Sequence, residues 1–159
     1  MPEGAYHKRI KEAIFKIASK SNKHKKVFKE RKIPIPHPKS SVAPIMYLPE
    51  VYIVTKHGKK YIFEILDSQS KDYNLIIADI IQSYLVENVS AVFFITKDNK
   101  DYELATRLAD ILGAKLEENG YNKKDLPDVT LYQISKEDAA DDAKLNAILL
   151  DYAKRDRWV

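Results

Sequence analysis

A carboxylate set in the middle of an apolar strand is the tightest constraint this chain places on its own folding. Residues 60–66 read Lys-Tyr-Ile-Phe-Glu-Ile-Leu. Strand alternation puts Ile62, Glu64 and Leu66 on one face and Tyr61, Phe63 and Ile65 on the other. Glu64 therefore shares its face with two apolar neighbours, and a carboxylate buried there costs free energy unless something pairs with it. Just upstream, Pro49-Glu50 leads into a second short strand, Val51–Thr55, and His57-Gly58 supplies a turn, so these residues are expected to form a hairpin. An acid at the start of one strand and another inside its partner suit a hard divalent cation. Magnesium prefers oxygen ligands and commonly takes only one or two protein carboxylates, with water and substrate phosphate completing its shell. Mg²⁺ or Mn²⁺ is the expected cofactor, with Glu50 and Glu64 as its ligands.

Around this hairpin the chain reads as alternating elements. Ile10, Ile14, Ile17 and Ala18 recur at helical spacing and predict a first helix over about 5–20. Lys23 to Lys32 extends that helix or forms a mobile basic arm, and Pro34, Pro36 and Pro38 end any helix there. A first strand is expected near Val42–Tyr47. After the hairpin, the stripe Ile76, Ile77, Ile80, Ile81, Tyr84 and Leu85 predicts a helix from about 73 to 87. The apolar run Val92–Thr96 reads as a strand buried on both faces. Asp98 or Asn99 caps a helix carrying Leu104, Leu108, Ile111 and Leu112, with Gly113 as its C-terminal cap. Val129–Ile134 is a further strand, and Ser135 with Asp138 forms a capping box for a last helix with Leu145, Ile148, Leu149 and Tyr152 inward. The expected fold class is α/β, a mixed central sheet flanked by helices on both sides. With 159 residues and no linker, 1–159 is expected to be a single domain with a basic N-terminal helix or arm at about 5–39.

Charge is divided unevenly along the chain. Residues 1–39 carry 12 Lys or Arg against three acids, whereas the remainder carries 15 against 20. A basic leading segment of this kind points to a polyanionic partner or to a solvated lysine-rich face. Lys23, Lys25, Lys26, Lys29, Arg31, Lys32 and Lys39 are the candidates for phosphate contacts, which position a nucleic acid without reading its sequence. The absence of cysteine excludes disulfides and thiolate metal sites. No membrane span or apolar signal core is expected, and a cytoplasmic location follows as the default. The four glycines form neither a phosphate-binding loop nor a dinucleotide fingerprint. His37 and His57 sit in loops, where a histidine is usually solvent-exposed. Tyr73, Tyr84 and Tyr152 suit core-facing helix positions better than base stacking.

The element order, with Glu50 and Glu64 in place, resembles the PD-(D/E)XK nuclease superfamily over roughly residues 5–115. The resemblance implies a restriction-endonuclease-like αβββαβ core, here followed by an added C-terminal strand and helix. It also implies that Pro49-Glu50 and Glu64 bind the metal and that a helix acid, Glu12, assists them. The family places a lysine two residues beyond the second acid, and this chain has Leu66 there. Lys60, Lys71 or Lys97 would have to supply a cation instead, or a bulge would have to shift the register to Asp67 and Gln69. Each acid also has a structural reading: Glu64 paired with a lysine at a sheet edge, Glu50 as turn chemistry before a strand, Glu12 exposed on its helix. The expected activity is Mg-dependent hydrolysis of phosphodiester bonds in DNA or, as a second substrate class, RNA. The resemblance implies a homodimer where two strands are cut. Leu66 motivates an alternative, a catalytically inactive module of the same fold that binds DNA or scaffolds a complex. A third reading is an unrelated α/β protein whose basic arm contacts protein or RNA.

Overall fold

A computed structural model describes residues 4–67, 73–86 and 88–159. The expected end of the second helix at Glu87, and the candidates Gln69 and Lys71, lie outside the described residues. The first helix, α1 (Ala5–Ser19), buries Tyr6, Ile10, Ile14, Ile17 and Ala18 along one side. Five strands then build the main sheet: β1 (His24–Lys29), β4 (Val51–Thr55), β5 (Lys60–Leu66), β6 (Ala91–Thr96) and β7 (Asp128–Gln133), in the spatial order β1-β4-β5-β6-β7. β4 runs antiparallel to its neighbours β1 and β5, and β6 and β7 add in parallel. The fold is α/β with a mixed sheet between two helical layers, as the sequence predicts.

The lysine-rich stretch neither extends α1 nor hangs free, contrary to the expectation. Residues 24–29 form the edge strand β1, with Val27 opposite Ile53 and Phe28 opposite Tyr52. Val27 packs towards one core and Phe28 towards the other. Two apolar side chains on opposite faces suffice to dock this strand, and its lysines deter further pairing at the edge. The first strand of the main sheet is thus β1 and not residues 42–47. Instead β3 (Ile45–Tyr47) pairs with β2 (Ile33–Ile35) in a separate two-stranded sheet. Pro34 is tolerated inside β2 because a two-stranded sheet consists only of edges.

The β4–β5 hairpin turns at Gly58, whose φ of +80° is the left-handed conformation such a turn requires. Chain reversal to the parallel strands runs through α2 (Tyr73–Leu85) and α3 (Asn99–Glu118). Asp98 caps α3 by accepting from the Asp101 amide. Gly113 does not end that helix, which continues for more than a turn to Glu118. The glycine at the true terminus is Gly120, at φ +90°, with Tyr121 N–H donating to the Leu116 carbonyl and Gly120 N–H to that of Glu117. At the C-terminal end the expected helix is split into α4 (Lys136–Ala140), capped by Ser135, and α5 (Asp142–Arg155), capped by Asp141.

Each face of the sheet carries its own core. Under α1 and α5, Ile10, Ile14, Phe63, Phe93, Leu149 and Trp158 pack together. Phe63 and Phe93 stack 4.7 Å apart across neighbouring strands, and the Trp158 ring meets Phe63 edge-on at 4.9 Å. Under α2 and α3 the core contains Ile62, Leu66, Ile76, Ile80, Phe94 and Ala105, joined by Ile33 and Tyr47 from the small sheet.

Candidate active site

The return from the small sheet into the large one places the two acids together. From Tyr47 the chain passes Leu48 and Pro49 to Glu50, immediately before β4. Glu64 projects from the middle of β5 and is 1 % exposed. Its Oε1 accepts the Glu50 backbone N–H at 2.9 Å. The acid inside the strand thus anchors the backbone of the acid that opens its partner.

The Glu50 carboxylate reaches the opposite way, to α1. Its Oε1 lies 2.9 Å from His7 Nε2 and its Oε2 lies 3.8 Å from Lys11 Nζ, which also pairs with Glu30 at 2.7 Å. His7 and Lys11 are both buried although polar. Sequence reasoning missed both. The signal was present, since 7, 11, 14 and 18 form a helical stripe alongside Ile10 and Ile17, and a histidine and a lysine inside a buried stripe need a partner of opposite charge.

Tyr47 closes the α2 side of the acids. Its hydroxyl is buried and has no hydrogen-bond partner of acceptable geometry among the described residues. Burial first, then the nearby charges of Glu64 and Asp79, holds the phenol pKa well above its ordinary value. Tyr47 therefore stays a neutral hydroxyl at physiological pH, able to donate or accept.

A second polar cluster lies at the C-terminal ends of β5 and β6. Lys97 Nζ is 3.0 Å from Asp67 Oδ1, with both side chains nearly enclosed. The Lys97 ammonium also stands 5.6 Å from the centre of the Tyr6 ring. Tyr6 donates to the Ile134 carbonyl at 2.6 Å, and its pKa is driven far up by burial, then by Asp67, Asp98 and Asp101. Consecutive residues of α1, Tyr6 and His7, thus serve the two clusters. Of the cations considered in place of Leu66, Lys97 engages Asp67, three residues past Glu64, whereas Lys60 begins β5 at its far end.

The remaining candidates fall elsewhere. Glu12 is not brought to Glu50 and Glu64; it is held by Lys29 at 2.9 Å on the outside of α1, and that contact lowers its pKa. Leu66 is completely buried in the α2-side core. Lys26, Lys29, Arg31, Lys32 and Lys39 are exposed on and just beyond β1. Lys29 is engaged with Glu12, Arg31 lies 5.0 Å from the Phe28 ring centre, and Lys23 donates to the Val159 carbonyl. The Lys25 and Tyr73 side chains lie outside the description. His37 and His57 are exposed, while Tyr84 and Tyr152 are half-buried and packed on the core, as their spacing predicts.

The donor set is one of hard oxygens: the carboxylates of Glu50 and Glu64, from neighbouring strands, and the neutral phenol of Tyr47 near Glu64. That suits a magnesium-like ion, which leaves most coordination positions to water. Among the described residues no group of three or more His, Asp or Glu side chains is arranged to hold a metal. An ion here would rest on the Glu50–Glu64 pair alone. Fold and site together define a mixed-sheet α/β protein with a buried acid, Glu64, next to a half-buried one, Glu50, whose carboxylate meets His7 and Lys11 of the first helix. No protein-family model matches the chain, and neither a curated protein nor a solved structure matches it. Among the described residues no helix is long and apolar enough to cross a membrane.

Proposed function

We propose that this chain is a divalent-metal-dependent phosphodiesterase that acts on DNA, with Glu50 and Glu64 as the metal-holding acids. The observation that carries this reading is that Glu64 Oε1 accepts the Glu50 amide, so the residue that opens β4 is held against the buried carboxylate of β5. In the main sheet three strands follow α1, and α2 then leads to β6, the αβββαβ order of the resemblance with β1 in the place expected for residues 42–47.

When bound, the ion would polarise the scissile phosphate and lower the pKa of a water molecule. The chain's own residues do the rest. Glu64 fixes the backbone at Glu50. His7 and Lys11 hold the Glu50 carboxylate in place from α1. Lys11 brings positive charge to the acid pair from α1, in place of the lysine that the resemblance would put at Leu66. Tyr47 offers a neutral hydroxyl beside Glu64. The cations on and beyond β1 hold the phosphate backbone by charge.

Leu66 favours a second reading, a module that binds nucleic acid without turnover, because a fully buried leucine brings no cation to the Glu64 strand face. The deciding experiment is cleavage of labelled linear, branched and single-stranded DNA with Mg²⁺ or Mn²⁺. The expected result is metal-dependent product that disappears in Glu64→Ala and Glu64→Gln. Cleavage at the wild-type rate in both variants would sink the assignment. Salt-sensitive binding without product from the wild type would establish the second reading.

A further inference from the structure

Among the described residues, four of the eight exposed large apolar side chains lie within seven consecutive positions: Val42 (44 %), Ile45 (62 %), Met46 (50 %) and Leu48 (49 %). They belong to the small sheet and its flanks. The register of that sheet sorts its side chains. Ile33 faces Tyr47, and both are buried in the α2-side core. The next pair, Pro34 and Met46, points the opposite way by alternation. At the far end Ile45 overhangs the core beside the half-buried Ile35. The small sheet is thus a flap held down by Ile33 and Tyr47, with Met46 on its outer face and Ile45 exposed at its far end. Arg31 and Lys32, both exposed, enter the flap directly from the basic edge strand. At its other end it runs through Pro49 into Glu50, and Tyr47 lies against Glu64.

Apolar side chains exposed among cations, next to a site for phosphodiester chemistry, match one ligand chemistry. A nucleic-acid strand carries phosphates for Arg31 and Lys32, and the faces of its bases pack against apolar side chains such as Ile, Leu and Met where the bases are unstacked. A continuous duplex hides those faces in its stack, and wedge residues such as Ile, Met and Leu must unstack a step at a cost of a few kcal/mol to reach them. An unpaired strand exposes them already. We infer that the flap at residues 33–48 is a docking surface for single-stranded DNA, on whose outer face Met46 and the neighbouring Leu48 pack against unstacked bases, with Ile45 exposed at its far end, while the strand runs towards Glu50 and Glu64. This inference rests on the nucleic-acid reading above but not on cleavage.

The test is fluorescence anisotropy with a labelled single-stranded DNA oligonucleotide and with its matching duplex, in EDTA so that turnover plays no part. Wild type, Ile45→Ser with Met46→Ser, Val42→Ser with Leu48→Ser, and Arg31→Ser with Lys32→Ser would be compared. All these side chains are exposed, and circular dichroism confirms that each variant folds. The expected result is tighter binding of the single strand by the wild type. Each apolar double variant should lose about tenfold in single-strand affinity, the scale of losing one buried aliphatic contact, with little change for the duplex. The Arg31/Lys32 variant should weaken both forms and flatten the salt dependence. Wild-type binding that the apolar variants leave unchanged, or weaken equally for both forms, overturns the inference while leaving the cleavage reading standing. A shift from dimer to monomer on sedimentation, with DNA affinity unchanged, would assign the flap to self-association and overturns it too. Absence of binding to either DNA by the wild type removes both readings together.

Discussion

Lowering the pH should loosen the basic edge strand through one histidine. His24 opens β1, is 9 % exposed, and has Nε2 2.6 Å from the Trp158 carbonyl oxygen. A carbonyl only accepts, so Nε2 carries the proton, and Nδ1 is buried without a partner among the described residues. Adding a second proton would place a charge and an unpaired donor in that enclosed position. Burial accordingly lowers the His24 pKa; the Trp158 carbonyl opposes the shift and the Lys23 charge adds to it. With the folded pKa below the unfolded one, the unfolded chain takes up the proton first as pH falls. Stability is then complete above the unfolded value of about 6.5 and declines below it until the folded group also titrates. One such site contributes at most about 1.4 kcal/mol of loss at one pH unit below that value. The measurement is urea unfolding of the wild type and His24→Gln from about pH 7.5 down to 5.5. It can be followed by fluorescence of the single tryptophan, Trp158. Glutamine retains an N–H donor for Trp158 and cannot be protonated. Its stability–pH profile should be flatter, by up to that amount at the acid end. Parallel profiles for the two proteins would refute the role given to His24.

Other perturbations follow from the same structure. Leu66→Lys places an ammonium among Ile62, Ile76 and Ile80 in a closed core, so urea denaturation should show a loss on the order of 3–5 kcal/mol and cleavage assays no gain; an undiminished midpoint would show that the lysine reaches solvent or the acid pair. Trp158→Ala removes a fully buried ring that packs on Phe63 and donates to Tyr132 Oη. It should cost about 3–5 kcal/mol, read by circular dichroism, and a loss below about 1 kcal/mol would mean that the tail is dispensable to the core. The two glycines of α3 should respond in opposite directions. Gly113→Ala, mid-helix with open space around it, should stabilise by about 0.5–1 kcal/mol. Gly120→Ala, at φ +90°, should destabilise by about 1–2 kcal/mol. Shifts of the same sign in thermal melts would contradict the assignment of the helix end.

Sequence periodicity was enough for elements whose burial is decided locally. The strands 51–55, 60–66 and 91–96 and the helices carrying Ile10, Ile80 and Leu149 show an unbroken apolar pattern of period two or 3.6, and each lies where that pattern puts it. Asp98 and Ser135 cap helices because a short polar side chain beside a free amide is a contact within one turn. The pairing of Glu50 with the Glu64 strand is legible for the same reason, since a tight hairpin fixes register by its length.

Contacts between residues distant in sequence required the tertiary structure. Lysines dominate the composition of 23–32, yet Val27 and Phe28 make it a strand because β4 offers an edge to pair with. Gly113 resembles a helix stop locally, but the terminus is set where Gly120 can turn left-handed and satisfy the last carbonyls. His7 and Lys11 became part of the site only when α1 crossed the sheet at Glu50, 43 residues from His7, and Glu12 left it by facing Lys29 instead. The sequence by itself determined the locally periodic helices and strands, their buried faces and the acid on the central strand, since these depend on the free energy of burying one face of a helix or strand. Which cations meet those acids, and that Ile45 and Met46 remain outside on a flap, were decided by the tertiary structure. Long-range charge pairing and exposure depend on how the elements are stacked in space, and no local period encodes that.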